Sequence, residues 1–239
     1  MYIALASYSA DKDINRPLLD EIAHALEFQL MAHYAPLWQS DGVQVRAHTD
    51  PINLDVGSEA CPLIVFDDAD QADALGYHSV DPYGRAFGKA FWSVIRGAGG
   101  GLKDGSLSLS VTLSHEVLEM VGNPYVNFWA DLPEGGQEAV ELCDRTQGDS
   151  YRVGGVSVSN FLGPRAFRTG PGPFDWLNLL KDPFEIRPNG YAIRRSGDSI
   201  YPVFGEGVPE WRRGLVYDRT SRMSKRMAVL QQTRKESSS

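Results

Sequence analysis

The alternation of apolar and polar positions divides the chain into short strands and a few helices. Tyr2 to Tyr8 is an apolar run of strand length and predicts a buried first strand. Asn15-Arg16-Pro17 then opens a helix, because proline is tolerated in the first helical turn, where its missing N–H has no partner to lose. Leu18, Ile22, Leu26 and Leu30 recur close to the helical period and mark one face, and Ala35-Pro36 ends it. Val43 to His48 alternates like a strand. Pro62 to Phe66 is a short apolar strand that runs into the acidic stretch Asp67, Asp68, Asp70. Ala74 to His78 and Ala86 to Ile95 read as two further strands, joined by a Pro-Tyr-Gly turn at 82–84.

Gly97 to Gly101 breaks the pattern before a second helix over 108–123, which Asn123-Pro124 closes. Ala139 to Asp144 reads as a strand, and Tyr151 to Phe161 as a hairpin folded at Gly154-Gly155. Phe174 to Leu180 predicts one or two helical turns. Tyr191 to Arg195 and Ile200 to Phe204 are short strands, and Met223 to Gln232 is a terminal helix. The expected fold is α+β, with a mixed β-sheet, one motif-bearing helix and a loop-rich C-terminal part.

Composition and charge narrow the function. The 239 residues are 42% hydrophobic and 23% charged, an ordinary globular balance. The net charge of −8 argues against nucleic acid as a partner. From Trp211 to the end the chain carries eight Lys or Arg and two acidic residues, a net +6, which leaves −14 on the rest. We therefore expect a body over 1–210 and a basic tail over 211–239 that docks onto an assembly partner or across the acidic surface. The start turns polar too quickly for a signal peptide, and no apolar run approaches membrane-spanning length. The expected setting is cytoplasmic or particle-associated, without a membrane. Cys61 and Cys143 are too few for a disulfide framework.

The second helix carries the candidate chemistry. It reads Ser114-His115-Glu116-Val117-Leu118-Glu119-Met120. His115 and Glu119 are four apart and share one edge, so an imidazole and a carboxylate can bind one cation. Glu116 is adjacent and can take a proton from a water activated at that ion, which is the requirement for amide hydrolysis. This is the His-Glu-x-x-His arrangement of zinc peptidases with Glu in place of the second His. A divalent metal is the expected cofactor: zinc first, with manganese or calcium favoured more than usual by the extra carboxylate. A third ligand is needed, and Glu141 or Asp144 can supply it. On a regular strand these two face opposite ways, so Glu141 is favoured as ligand and Asp144 as an orienting acceptor for His115. Cys143 is an outside alternative.

Other residues weigh less. Tyr77 and His78, on a strand before the motif helix, are candidates for substrate binding, for steadying an oxyanion, or for an extra ligand. Tyr151, His24, His33 and His48 are read as structural. The acidic run at 67–73 lacks the spacing of a calcium loop, and Gly99-Gly100-Gly101 lacks the ending of a phosphate loop.

The run from Thr112 to Met120, with Asn123-Pro124 and Asn127, resembles a segment of uncharacterised bacterial and phage proteins regarded as zincin-like. The resemblance continues through 74–78, 140–144, 147–151, 158–161, Pro183-Phe184 and 189–191. It implies a zincin-like fold with the active helix beneath a mixed sheet, and it places His115, Glu116 and Glu119 at the group's motif positions. It supplies no substrate. Gly122-Asn123-Pro124 departs from the group, where Asp often precedes the proline. The expected function is a metal-dependent hydrolase acting on a peptide or protein. The competing expectation is a non-catalytic assembly protein of the same fold.

Overall fold

The apolar run at the start of the chain lies in the middle of a sheet. In this computed structural model, which describes residues 2–48, 59–71, 74–217 and 220, β1 (Tyr2–Ser7) pairs in parallel with β2 (Gln44–Ala47) and with β3 (Ala60–Phe66). Both faces of β1 are covered, so Ile3, Ala4, Leu5 and Ala6 are all buried and the strand needs no polar alternation. After β3 come β4 (Gly76–Val80) and β5 (Ala86–Phe91). β5 adds to β3 in parallel, and β4 lies antiparallel on β5 at the edge, giving the order β2-β1-β3-β5-β4. The result is a mixed sheet in an α+β fold.

Helix α1 (Arg16–Phe28) is capped by Asn15, whose side chain accepts from the Leu18 N–H at 3.1 Å. Ile22, Leu26 and Leu30 face the core as the spacing requires, whereas Leu18 is only partly buried and Leu19 takes the inner position. The helix does not continue regularly to Ala35. It widens into a π-helical stretch over Gln29–Tyr34 before α2 (Ala35–Trp38). That wide turn sits where a polar side chain, Gln29, is fully buried and must find partners.

Two further elements change type from their sequence reading. The strand expected over 86–95 stops at Phe91, and Trp92–Gly97 forms helix α3. Trp92 Nε1 donates to Asp11 at 2.7 Å and Ile95 is fully buried, so the apolar run packs with helical rather than strand periodicity. The segment 174–180 is not helical. Asn178 has a positive φ of 54°, and the Asp175 carboxylate accepts the N–H groups of Leu179 and Leu180, replacing helical bonds.

The motif helix, α4 (Leu109–Gly122), starts at Ser108, which caps Val111. Every residue from Leu109 to Met120 is buried, so this is a core helix and not a surface one. Its end is fixed by Asn123, whose side chain accepts from the N–H groups of Asn127 and Phe128. β6 (Trp129–Asp131), β7 (Gln137–Ala139), β10 (Tyr191–Ser196) and β11 (Ser199–Phe204) form an antiparallel sheet of order β11-β10-β7-β6. β8 (Ser150–Val153) and β9 (Val156–Ser159) form the expected hairpin. Residues 210–217 are helical, and Val216 is buried with Ala139, Tyr191 and Ile193. The start of the basic segment thus packs on the second sheet. The helix expected at 223–232 lies outside the described residues. Among the described residues no helix is long and apolar enough to cross a membrane.

Candidate metal centre

Helix α4 passes close beneath β4 and β5 because glycines face it there. A Cβ on Gly76 would stand 2.8 Å from Thr112 Cγ2 and 2.9 Å from Glu116 Oε1. One on Gly88 would stand 2.9 Å from Met120 Sδ. These contacts are too short for real Cβ atoms, so the helix approaches this closely because side chains are absent there; at Gly88 the flexible Met120 end could give way, at Gly76 the room is tighter. Gly88 pairs directly with His78. His78 therefore projects from the same face as Gly76, onto α4, and is buried at 6% exposure.

The helix supplies His115, Glu116 and Glu119, all buried. The chain after β7 supplies two more carboxylates. The strand expected over 139–144 ends at Ala139. The Glu141 N–H turns back to the Ala139 carbonyl at 3.0 Å, and Asp144 opens a short 3-10 turn over Asp144–Thr146. The alternation that separates Glu141 from Asp144 on a regular strand is lost, and both reach the site.

They reach different histidines. His115 Nε2 lies 3.1 Å from Glu119 Oε1 and 3.3 Å from Asp144 Oδ1. His78 Nδ1 lies 3.1 Å from Glu119 Oε2 and 3.8 Å from Glu116 Oε2, while its Nε2 lies 3.8 Å from Glu141 Oε2. Asp144, which the sequence placed second to Glu141, is the carboxylate beside His115. Two groups of three, His115–Glu119–Asp144 and His78–Glu116–Glu119, each hold their ligand atoms within 4.8 Å of one another and can bind a metal ion.

The alignment of these groups suits a cation better than hydrogen bonds. Neither ring nitrogen of His78 makes a hydrogen bond, nor does Glu119 Oε1, although all three are buried. His78 Nδ1 and Glu119 Oε1 each face an oppositely charged partner at 3.1 Å, but without the alignment of a hydrogen bond. Ligand atoms bound at about 2.1 Å to one ion stand about 3.0 Å apart in octahedral geometry and about 3.4 Å in tetrahedral geometry. The 3.1 and 3.3 Å separations fall in that range.

Electrostatics point the same way. Burial alone would lower the His78 pKa, but the surrounding carboxylates, Glu141 foremost, override it and push it up to about 10. Burial likewise opposes the charged form of His115, and Glu119 and Asp144 outweigh it, holding that pKa well above the ordinary value. Glu119 is held well below the usual carboxylate range because the two histidines outweigh its burial. Glu116 differs: burial raises its pKa, and the histidines offset this only in part. The pocket is thus strongly negative and attracts positive charge.

The other candidates are placed away from this cluster. Tyr77 lines the cleft but is not a ligand: its ring lies on the opposite face of β4 from His78, against Phe87 and Phe91, and its hydroxyl donates to Asp70 at 3.0 Å. Tyr151 contacts Gln29 and His33 through its hydroxyl, a structural role. Cys143 is fully buried, and burial keeps its thiol protonated. Cys61 and Cys143 are both free thiols. His78 was the residue that sequence reasoning undervalued as a ligand. The signal available was a histidine two residues after Gly76 in a predicted hairpin whose second strand carries Gly88.

The cluster opens into a cleft of about 390 Å³. His115, Glu116 and Glu119 form its floor. Gln147, Tyr191 and Arg212 also line it, the last from the helix over 210–217. Compared with protein-family models, with curated proteins and with solved structures, the chain matches none.

Proposed function

We propose that this protein is a metal-dependent hydrolase of zincin-like type that cleaves an amide bond in a peptide or protein. The observation that carries the reading is the buried group His115–Glu119–Asp144 at the foot of an open cleft, with the Glu116 carboxylate beside it. A mixed sheet whose antiparallel edge strand borders the motif helix supports the zincin-like part of the reading. Three protein ligands with a remaining open position are what a catalytic zinc site needs. A divalent ion there, zinc by preference and manganese as the harder alternative, would act as a Lewis acid toward a water and a carbonyl.

The protein's own contribution lies in Glu116. Burial raises the pKa of its carboxyl, which makes it a stronger base than an exposed glutamate. Its place one residue after His115 sets it beside the ligands without sharing the His115–Asp144 contacts. His115 and Asp144 hold one another at 3.3 Å and fix the floor of the cleft. Arg212 stands on the cleft wall and supplies a positive charge toward a substrate's developing or fixed negative charge.

The test is metal analysis of the purified protein followed by peptidase assays on a diverse peptide mixture. Wild type should hold at least one zinc or manganese and cleave peptides. Glu116→Gln should keep the ion at His115 and lose cleavage by about 10²-fold or more. Absence of bound metal after supplementation with zinc and manganese would end this reading.

A further inference from the structure

We propose that the centre has room for two cations bridged by Glu119, the second held by His78, Glu116 and Glu119. This rests on the reading above only in that the first ion belongs to His115–Glu119–Asp144. The two ligand groups share a single residue, and that residue divides its oxygens between them: Glu119 Oε1 faces His115 and Oε2 faces His78, each at 3.1 Å. A carboxylate with its oxygens aimed at different sets of donors is the bridge of a two-metal site, where ions stand about 3.5–4 Å apart.

The second group has the features of a built site. His78 is buried with a side-chain exposure of 1%, and neither ring nitrogen makes a hydrogen bond. Its Nδ1 points between Glu119 and Glu116, and its Nε2 faces the Glu141 carboxylate. At 3.8 Å Glu141 is too far for a hydrogen bond, but its negative charge lies on the Nε2 side of the ring and favours the proton there, which leaves the Nδ1 lone pair toward Glu119 and Glu116. Four buried carboxylates, Glu116, Glu119, Glu141 and Asp144, converge here. One divalent ion neutralises half of that charge and two neutralise all of it. The donors, one imidazole nitrogen and two carboxylates, suit zinc or manganese.

The two subsites are unequal in consequence. Glu116 serves as the base only while its carboxylate is free. An ion in the His78 subsite takes that carboxylate as a ligand, so the hydrolytic form carries one ion and excess cation inhibits it. This makes His78 the residue that sets the response to metal concentration.

Stoichiometry tests the idea without an activity assay. The full chain is stripped with chelator and titrated with zinc by calorimetry, and bound metal is counted after equilibrium dialysis. Wild type should bind two ions in two steps. His78→Gln should bind one and keep the tighter step, and Glu116→Gln should weaken the second step by about tenfold or more. With manganese, wild type should show an exchange-coupled spin-pair signal at two equivalents, and His78→Gln should not. Thermal melting of each variant confirms folding; should His78→Gln not fold, the Glu116→Gln titration and the wild-type spin signal decide. One ion in wild type, or two in both wild type and His78→Gln, overturns the second subsite and leaves the hydrolase reading standing. No ion in any of the proteins overturns both.

Discussion

His78 Nδ1 on the edge strand β4 and Glu119 Oε2 on helix α4 meet at 3.1 Å, across the junction that Gly76 and Gly88 hold open. The contact depends less on either residue than on how closely the helix can approach the sheet. A Cβ at Gly76 would meet Thr112 Cγ2 and Glu116 Oε1 of the helix at 2.8 and 2.9 Å, and the Lys89 carbonyl oxygen of the paired strand, which cannot swing aside, at 2.7 Å.

Gly76→Ala should therefore damage the site more than the fold. Overpacking at one such position costs about 1–3 kcal/mol, which a domain of this size survives. The displaced Glu116 and His78 should weaken metal binding by about tenfold or more, because ligand geometry is set by surrounding atoms. Calorimetric titration alongside a thermal melt separates the two effects. An alanine variant with wild-type metal affinity would show that the close approach has no role in the centre.

Asp144 and Glu141 should respond differently to amide substitution. Asp144 lies beside His115, so Asp144→Asn should cost the primary ion about 100-fold or more in affinity. Glu141 faces His78, so Glu141→Gln should spare the primary ion and weaken the second by about 10–100-fold, the range for residues that orient a ligand. Equal losses at both ions for both variants would contradict this division.

Below the metal centre, Ser114 ties three elements together. Its hydroxyl donates to Gln29 Oε1 at 2.7 Å in the π-helical stretch and accepts the Ser159 N–H of β9 at 2.9 Å. Gln29 Nε2 returns to the Ser159 carbonyl at 2.9 Å. Ser114→Ala leaves a buried N–H and a buried amide oxygen without this partner. The expected loss is about 1–3 kcal/mol, measured by denaturant unfolding, with metal stoichiometry unchanged. A loss below about 0.5 kcal/mol would mean that the network relaxes around the gap.

The sequence makes the site's helix legible but not its surroundings. His115, Glu116 and Glu119 are local, and helical spacing alone puts them on one side of α4. The role of Asp144 depends on where β7 stops, and a strand ending at Ala139 looks no different in sequence from one ending at Asp144. His78 is harder still: the hairpin that pairs it with Gly88 is local, but nothing in that hairpin says which of its faces α4 covers. A similar cause explains α3: Phe91, Trp92 and Ile95 fit either period, and tertiary contacts such as Trp92 with Asp11 and the burial of Ile95 accompany the helix. The buried Gln29 and its π turn answer to a partner on β9 that no local pattern announces.

The charge in the centre gives a pH dependence with a definite sign. For protein stripped of metal, His78 has a folded pKa of about 10 against an ordinary value of 6.5, because the carboxylates around it outweigh its burial. The folded state therefore binds the proton more tightly than the unfolded chain does. Below pH 6.5 both states hold it and the stabilising contribution is complete. Between 6.5 and 10 the unfolded chain has released it and the folded protein has not, so stability falls as pH rises. Above about 10 the contribution is gone. His115 is shifted in the same direction and adds to the slope. Zinc replaces these protons as the source of positive charge, so loaded protein should lose less stability across the same window. Melting temperatures taken from pH 6.5 to 10, with chelator and with zinc, should diverge progressively as pH rises. Parallel curves would show that the protons and the metal do not compete for His78 and His115, and that the metal binds elsewhere.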